Sequence, residues 1–176
     1  EEQKELYYKK SVRTYDGDDQ IIGTDGYDFI QSGSGMDIIF PKGGADVING
    51  GLGVDYVVLS DLEEPVEVVY NPSTSEFELP GNKTRGKRDN EESETFSTTL
   101  KNIEIIGVYA GSRVDYSALP EPSEINNWGA RLGAGSQFTG SKYSDRVVLS
   151  FQSNEYNISS EINEIQVIDG GEGVND

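Results

Sequence analysis

The chain has 176 residues, 34% of them hydrophobic, with 21 glycines and a net charge of −18 from 32 acidic and 14 basic side chains. It contains no Cys and no His, which excludes disulfide staples, thiol or imidazole catalysis and zinc sites, while the negative charge makes nucleic acid and anionic membranes poor partners. Such a chain either stays largely disordered or has its charge neutralised by cations.

Residues 1–14 read as an N-terminal flank, and Glu1-Glu2-Gln3-Lys4 reads as a cut into a longer protein. No apolar run reaches the length of a membrane span. From there a period of nine takes over. Gly17, Gly26, Gly35, Gly44 and Gly53 recur in phase with Asp19, Asp28, Asp37, Asp46 and Asp55, and a branched aliphatic residue follows each Asp two positions later: Ile21, Ile30, Ile39, Ile48 and Val57. The first six residues of each repeat suit a turn, where Gly permits restricted backbone angles and close approach of the next turn. The last three suit a short strand with its aliphatic residue inward. The flanking residues, such as Gln20 and Ile22 or Ile38 and Phe40, then face outward. Strands this short are stable only if stacked.

A flattened coil with two strands and two turns takes two repeats, or eighteen residues. Asp19 then stands beside Asp37, Asp37 beside Asp55, and Asp28 beside Asp46, at about the 4.8 Å spacing of adjacent strands. Rows of like charges so close are unfavourable by several kcal/mol in a partly desolvated turn. A divalent, oxygen-preferring cation between each pair relieves that, and turn carbonyls can complete a six-ligand shell. The plainer alternative, a solvated acidic loop, has to explain five repeats in phase.

Gly33-Ser34-Gly35-Met36-Asp37-Ile38-Ile39 and Gly50-Gly51-Leu52-Gly53-Val54-Asp55-Tyr56-Val57 resemble the G-G-x-G-x-D-x-U-x nonapeptide of RTX (repeat-in-toxin) proteins. The match covers about residues 14 to 60. The resemblance implies an all-β fold, a parallel β-roll (a right-handed β-helix solenoid) over 15–66, in a secreted, extracellular protein exported by type I secretion machinery and folding on extracellular Ca²⁺. It also implies ligand sets of two carbonyls and one Asp from each of two turns. The first ion would take Tyr15, Gly17 and Asp19 with Ser32, Ser34 and Asp37. The second would take Thr24, Gly26 and Asp28 with Pro41, Gly43 and Asp46, and the third Gly33, Gly35 and Asp37 with Gly50, Leu52 and Asp55. Pro41-Lys42 replaces the leading Gly pair of the fourth repeat, which weakens turn propensity more than carbonyl coordination. The register runs one repeat further, with Glu64 at the Asp position and Val66 at the aliphatic one. This allows a fourth ion between Lys42, Gly44, Asp46 and Asp61 or Glu64.

Residues 67–99 read as an inserted hairpin and a mobile loop. The hairpin runs from Val66-Glu67-Val68-Val69-Tyr70 through a turn at Asn71-Pro72-Ser73-Thr74 to Glu76-Phe77-Glu78-Leu79. Within the polar stretch 80–95, Arg85-Gly86-Lys87-Arg88 resembles a basic protease target, though a solvated charged loop is the simpler reading. Residues 100–176 read as degenerate coils of the same roll, or a cap, cut in mid-repeat at Gly170-Gly171-Glu172-Gly173. Leu100-Lys101-Asn102-Ile103-Glu104 resembles segments that re-enter a roll in this family. Worn turns follow at Gly111–Asp115 and Gly140–Val147, with strands near 146–151 and 164–169. Because Arg113 and Tyr143 hold Gly positions, few or no calcium sites are expected there, Asp115 and Asp145 as isolated ligands being the alternative. Trp128 and the other aromatics show no common period, so packing against loops is expected of them rather than sugar stacking.

The function expected is that of a calcium-driven folding module in a larger secreted toxin or exoprotein. The alternative is an adhesin or surface-layer segment that presents a face to a host-surface glycan or cell ligand. An enzyme is not expected, since no carboxylate pair stands apart from the calcium register.

Overall fold

Short strands dominate the computed structural model, which describes residues 10–62, 64–82, 96–120, 129–142, 146–149 and 167–169. Through the repeats these are β1 (Lys10–Arg13), β2 (Gln20–Ile22), β3 (Asp28–Gly35), β4 (Ile38–Phe40), β5 (Val47–Gly53) and β6 (Tyr56–Val58). A 3-10 helix (Leu59–Leu62) follows, then β7 (Glu67–Asn71), β8 (Glu76–Asn82), β9 (Phe96–Lys101), β10 (Ile105–Gly107), β11 (Arg113–Asp115), β12 (Gly129–Leu132), β13 (Gln137–Thr139), β14 (Arg146–Leu149) and β15 (Val167–Asp169). No helix among the described residues is long and apolar enough to cross a membrane.

The fold is all-β, and the strands among the described residues lie in two sheets. One has nine strands in the order β1-β3-β5-β9-β8-β7-β11-β13-β15, the other six in the order β14-β12-β10-β6-β4-β2. Neighbours are parallel except at β7–β8 and β8–β9. Along the repeats the chain alternates between the sheets, so that Ile21 pairs with Ile39, Ile39 with Val57, and Ile30 with Ile48. These five aliphatics are buried in one cluster that draws on both sheets and continues through Val68, Leu79, Leu100, Ile106, Val114 and Leu132.

The nine-residue register does not continue beyond β6. The 3-10 helix turns the chain out of it, and β7 and β8 form an antiparallel hairpin, with Tyr70 opposite Phe77. The strand stacked on β5 is β9, which pairs Ile48 with Leu100. On β6 stands β10, pairing Val57 with Ile106. The hairpin therefore widens the first sheet by two strands that the second sheet lacks.

Aromatic side chains fill that wider region. Tyr70, Phe77, Tyr116 and Phe138 form a chain of rings with each successive pair of centroids 5.2 Å apart, and all four are buried. The expectation that the aromatics pack against loops is corrected for these four, which belong to the core. They share no sequence period because they meet across strands joined by unequal connections. Trp128, the basic stretch 85–88, Tyr143, Asp145 and the terminal Gly-rich turn lie outside the described residues.

Burial decides the expected effect of shortening an aliphatic. Ile48 is 1% exposed and Ile22 is 55% exposed. Ile48→Ala should lower the free energy of unfolding by about 2–5 kcal/mol, and Ile22→Ala by no more than about 0.5 kcal/mol, as read from urea denaturation. Equal losses would contradict the inward ladder.

Candidate metal centre

The turns that carry the aspartates stack closely because glycine leaves room for main-chain oxygen. A Cβ at Gly51 would lie 1.9 Å from Gly33 O, and one at Gly53 would lie 1.9 Å from Gly35 O. Both glycines also have positive φ, 105° and 126°, which a side chain would strain. In the fourth repeat Lys42 occupies the register position of Gly33 and Gly51 and adopts φ 68° without being glycine. The turn geometry thus survives the Pro41-Lys42 replacement.

Stacking joins each Asp to the next along its edge of the fold. Asp19 N donates to Asp37 Oδ1 at 2.8 Å, Asp28 N to Asp46 Oδ1 at 2.9 Å, and Asp37 N to Asp55 Oδ1 at 3.0 Å, each across eighteen residues. The three expected carboxylate pairs are therefore in contact through the main chain. Asp28, Asp37, Asp46 and Asp55 are buried, and Asp19 is half-buried.

Second oxygens distinguish these carboxylates. Asp28 is held by its own turn, with Thr24 Oγ1 donating to Oδ1 at 3.0 Å. Asp37 Oδ2 and Asp55 Oδ2 are buried and accept no hydrogen bond. An unpartnered buried carboxylate oxygen is strongly unfavourable. Burial, which strips water from the charged form, pushes Asp46 up to about 8 and Asp55 up to about 7 from an ordinary 3.8. Hydrogen bonds from Asp28 N and Asp37 N oppose the rise, and the neighbouring acids (Asp28 for Asp46; Glu104 and Asp37 for Asp55) add to it.

Several expected carbonyl ligands already carry hydrogen bonds between turns. Tyr15 O accepts from Ser34 N at 2.7 Å, and Ser34 O from Gly17 N at 2.8 Å. Ser32 O accepts from Thr14 Oγ1, and Gly50 O from Ser32 Oγ at 2.8 Å. Each carbonyl retains a second lone pair. Pro41 O and Asp28 Oδ2 face one small space, since a Cβ at Gly23 would lie 2.4 Å from the first and 2.8 Å from the second. Gly26 O is similarly close to Gly44, 2.2 Å from the place of its Cβ. Oxygen-only surroundings with unpartnered carboxylate oxygens fit a hard cation such as Ca²⁺. Among the described residues no three acidic side chains gather as one metal-binding group; each expected set holds two.

The fourth expected set is not assembled as the register implies. Thr98 Oγ1, within the strand stacked on β5, accepts from Asp46 N at 3.1 Å and donates to Gly44 O at 3.3 Å. Thr98, rather than Asp61 or Glu64, thus stands beside Asp46. Asp61 lies in the 3-10 helix, and Glu64 is exposed beyond it. The physical reason is the departure of the chain after β6, which carries 59–66 away from the nine-residue stack. On the other edge, Glu104 Oε2 accepts from Asp55 N at 2.8 Å. Asp115 is tied to its own surroundings, with Arg113 at 3.7 Å and Ser117 N at 3.0 Å.

The nine-residue register gives Thr98 and Glu104 no site role, although both carry a signal in the sequence. Each precedes a buried aliphatic by two positions, Leu100 and Ile106, as every Asp of the repeats does. No family model, curated protein or solved structure was found to match the chain.

Because Asp46 and Asp55 sit above their ordinary value in the fold, the folded chain holds protons more tightly than the unfolded one. Without metal, stability should therefore fall as pH rises from about 4 to about 8. In chelator, the β signal in circular dichroism should be stronger at pH 5 than at pH 8, and Asp46→Asn with Asp55→Asn should flatten that difference. A β signal that rises with pH would show that burial does not dominate these groups.

Proposed function

We propose that this chain is a calcium-binding β-roll of the RTX kind, which folds where Ca²⁺ is plentiful and forms part of a larger secreted protein. The observation that carries this reading is the column of stacked carboxylates, Asp19–Asp37–Asp55 on one edge and Asp28–Asp46 on the other, with buried, unpartnered oxygens on Asp37 and Asp55. Alternation between the two sheets every nine residues, with parallel pairing of strands eighteen residues apart, supports the roll. Three ions are assigned to the three sets: Tyr15, Gly17, Asp19, Ser32, Ser34 and Asp37; Thr24, Gly26, Asp28, Pro41, Gly43 and Asp46; Gly33, Gly35, Asp37, Gly50, Leu52 and Asp55.

The mechanism is a folding switch. Without cations, buried like charges oppose the gain from burying short aliphatic strands, and chain entropy prevails. An ion that binds only the folded turns stabilises them by mass action, by about 1.4 kcal/mol per site at roughly ten times its dissociation constant. Extracellular calcium modules have dissociation constants of about 10⁻⁴–10⁻³ M. Such sites stay empty in a calcium-poor cytosol and fill outside. A chain built this way leaves through type I secretion machinery unfolded and folds on arrival.

Titration with millimolar Ca²⁺ should raise β signal in circular dichroism and compact the chain, with Mg²⁺ a poor substitute because it demands a tighter octahedron. Asp37→Asn, which removes a ligand shared by two sets, should raise the calcium midpoint more than Asp19→Asn. No spectral response and no calcium uptake would overturn the proposal.

A further inference from the structure

We infer that Glu104 closes an additional Ca²⁺ site on the turn Gly51–Asp55, outside the eighteen-residue spacing, with the carbonyl of Asn102 as its partner. The inference rests on the calcium reading above and extends it to a segment that belongs to no nonapeptide repeat. Asp55 N donates to Glu104 Oε2 at 2.8 Å, the same contact that joins Asp19 to Asp37 and Asp37 to Asp55. Ile105 N also donates to Asp55 O at 3.0 Å, as Tyr56 N does to Asp37 O at 2.8 Å. Glu104 therefore continues the column of acids by one member.

A second observation points to a ligand. Asp55 Oδ1 accepts from Asp37 N, whereas Asp55 Oδ2 is buried with no hydrogen-bond partner. That oxygen faces a space shared with the next turn, since a Cβ at Gly50 would lie 2.4 Å from Asp55 Oδ2 and 2.2 Å from Asn102 O. Pro41 O and Asp28 Oδ2 are disposed in the same way about Gly23. Asn102 thus takes over the carbonyl position of Pro41, and Glu104 the carboxylate position of Asp46. Both Asp55 and Glu104 are buried, at 0% and 3% exposed, so neither charge is relieved by water.

Chain length explains why the acid is Glu. Six residues, Gly50 to Asp55, connect Asn49 to Tyr56, but only the three from Asn102 to Glu104 connect their partners Lys101 and Ile105. Asn102 turns sharply at φ 51° to make that connection. Across this shortened turn the longer Glu side chain brings Oε2 to within 2.8 Å of Asp55 N. On the other edge Thr98 ends the column with a hydroxyl that caps Gly44 O, so no second carboxylate meets Asp46 from above and no ion is assigned there.

The test counts calcium ions by equilibrium dialysis on the whole chain, with the fold followed by circular dichroism. Glu104→Gln keeps an acceptor for Asp55 N but removes the charge, and should bind one ion fewer than the parent. Glu104→Asp keeps the charge but not the reach, and should weaken one site on the order of tenfold or more while leaving the others unchanged. If Glu104→Gln fails to fold in calcium, the titration of Glu104→Asp decides alone. Unchanged count and affinity in either folded variant would overturn the role of Glu104 while leaving the calcium reading intact. A parent chain that takes up no calcium would overturn both.

Discussion

A main-chain amide donating to a carboxylate eighteen residues away is the contact on which the repeat region depends. It fixes the stacking distance between turns and orients each Asp along the edge. It also places each of these carboxylates beside another, and Asp28, Asp37, Asp46 and Asp55 away from water. The same bond that aligns the turns therefore concentrates their charge. Glycine makes the arrangement sterically open, because turns that touch through Gly33 O and Gly51, or Gly35 O and Gly53, have no space for a side chain. Hydrophobic contact is modest, one aliphatic per strand, so the electrostatic balance at the turns decides whether the stack persists.

The five repeats were legible because each position answers one local demand: Gly for the turn, Asp for the edge, an aliphatic for the core. What local period could not reveal was where the chain leaves and returns. Glu64 and Val66 carry the spacing of another repeat, yet the register breaks at the 3-10 helix, and Val66 enters the core at the threshold of β7 instead. The true continuation lies forty-nine to fifty-two residues along, at Thr98 and Glu104. Both keep the two-residue offset to an aliphatic, but Thr98 lacks the acid and Glu104 follows a turn shortened by three residues. A fixed nine-residue frame cannot register either change. The hairpin was readable from its alternating residues and Pro-Ser turn, whereas its place between β9 and β11 depends on long-range pairing.

Inserting two strands into one sheet and none into the other creates a volume that aliphatics of the repeat kind would leave unfilled. The ring chain Tyr70–Phe77–Tyr116–Phe138 supplies that volume. Tyr116 also anchors the two sheets to each other, because its buried hydroxyl donates to Gly129 O at 3.0 Å, at the start of β12. A buried Tyr hydroxyl without such an acceptor would weaken the core. The segments after the hairpin thus retain the stacking geometry of the repeats while exchanging turn carboxylates for aromatic packing and serine caps, as where Ser112 Oγ receives Val66 N at 3.0 Å.

Solvation outweighs like-charge repulsion in setting the acid strengths of Asp46 and Asp55. For Asp46 and Asp55 alike, desolvation is the leading cause of the raised value, ahead of the charge on Asp28 for the first and on Glu104 and Asp37 for the second. What these carboxylates lack is therefore a substitute for water more than distance from one another. A proton restores neutrality but leaves a carbonyl-lined turn with unmatched oxygens. A cation supplies charge and coordination together, and can satisfy carbonyls that each retain a lone pair. Under the proposed calcium reading, the buried acidic column takes up a metal ion rather than protons, and Glu104 would extend that match beyond the repeats by meeting the same physical demand in a shorter turn.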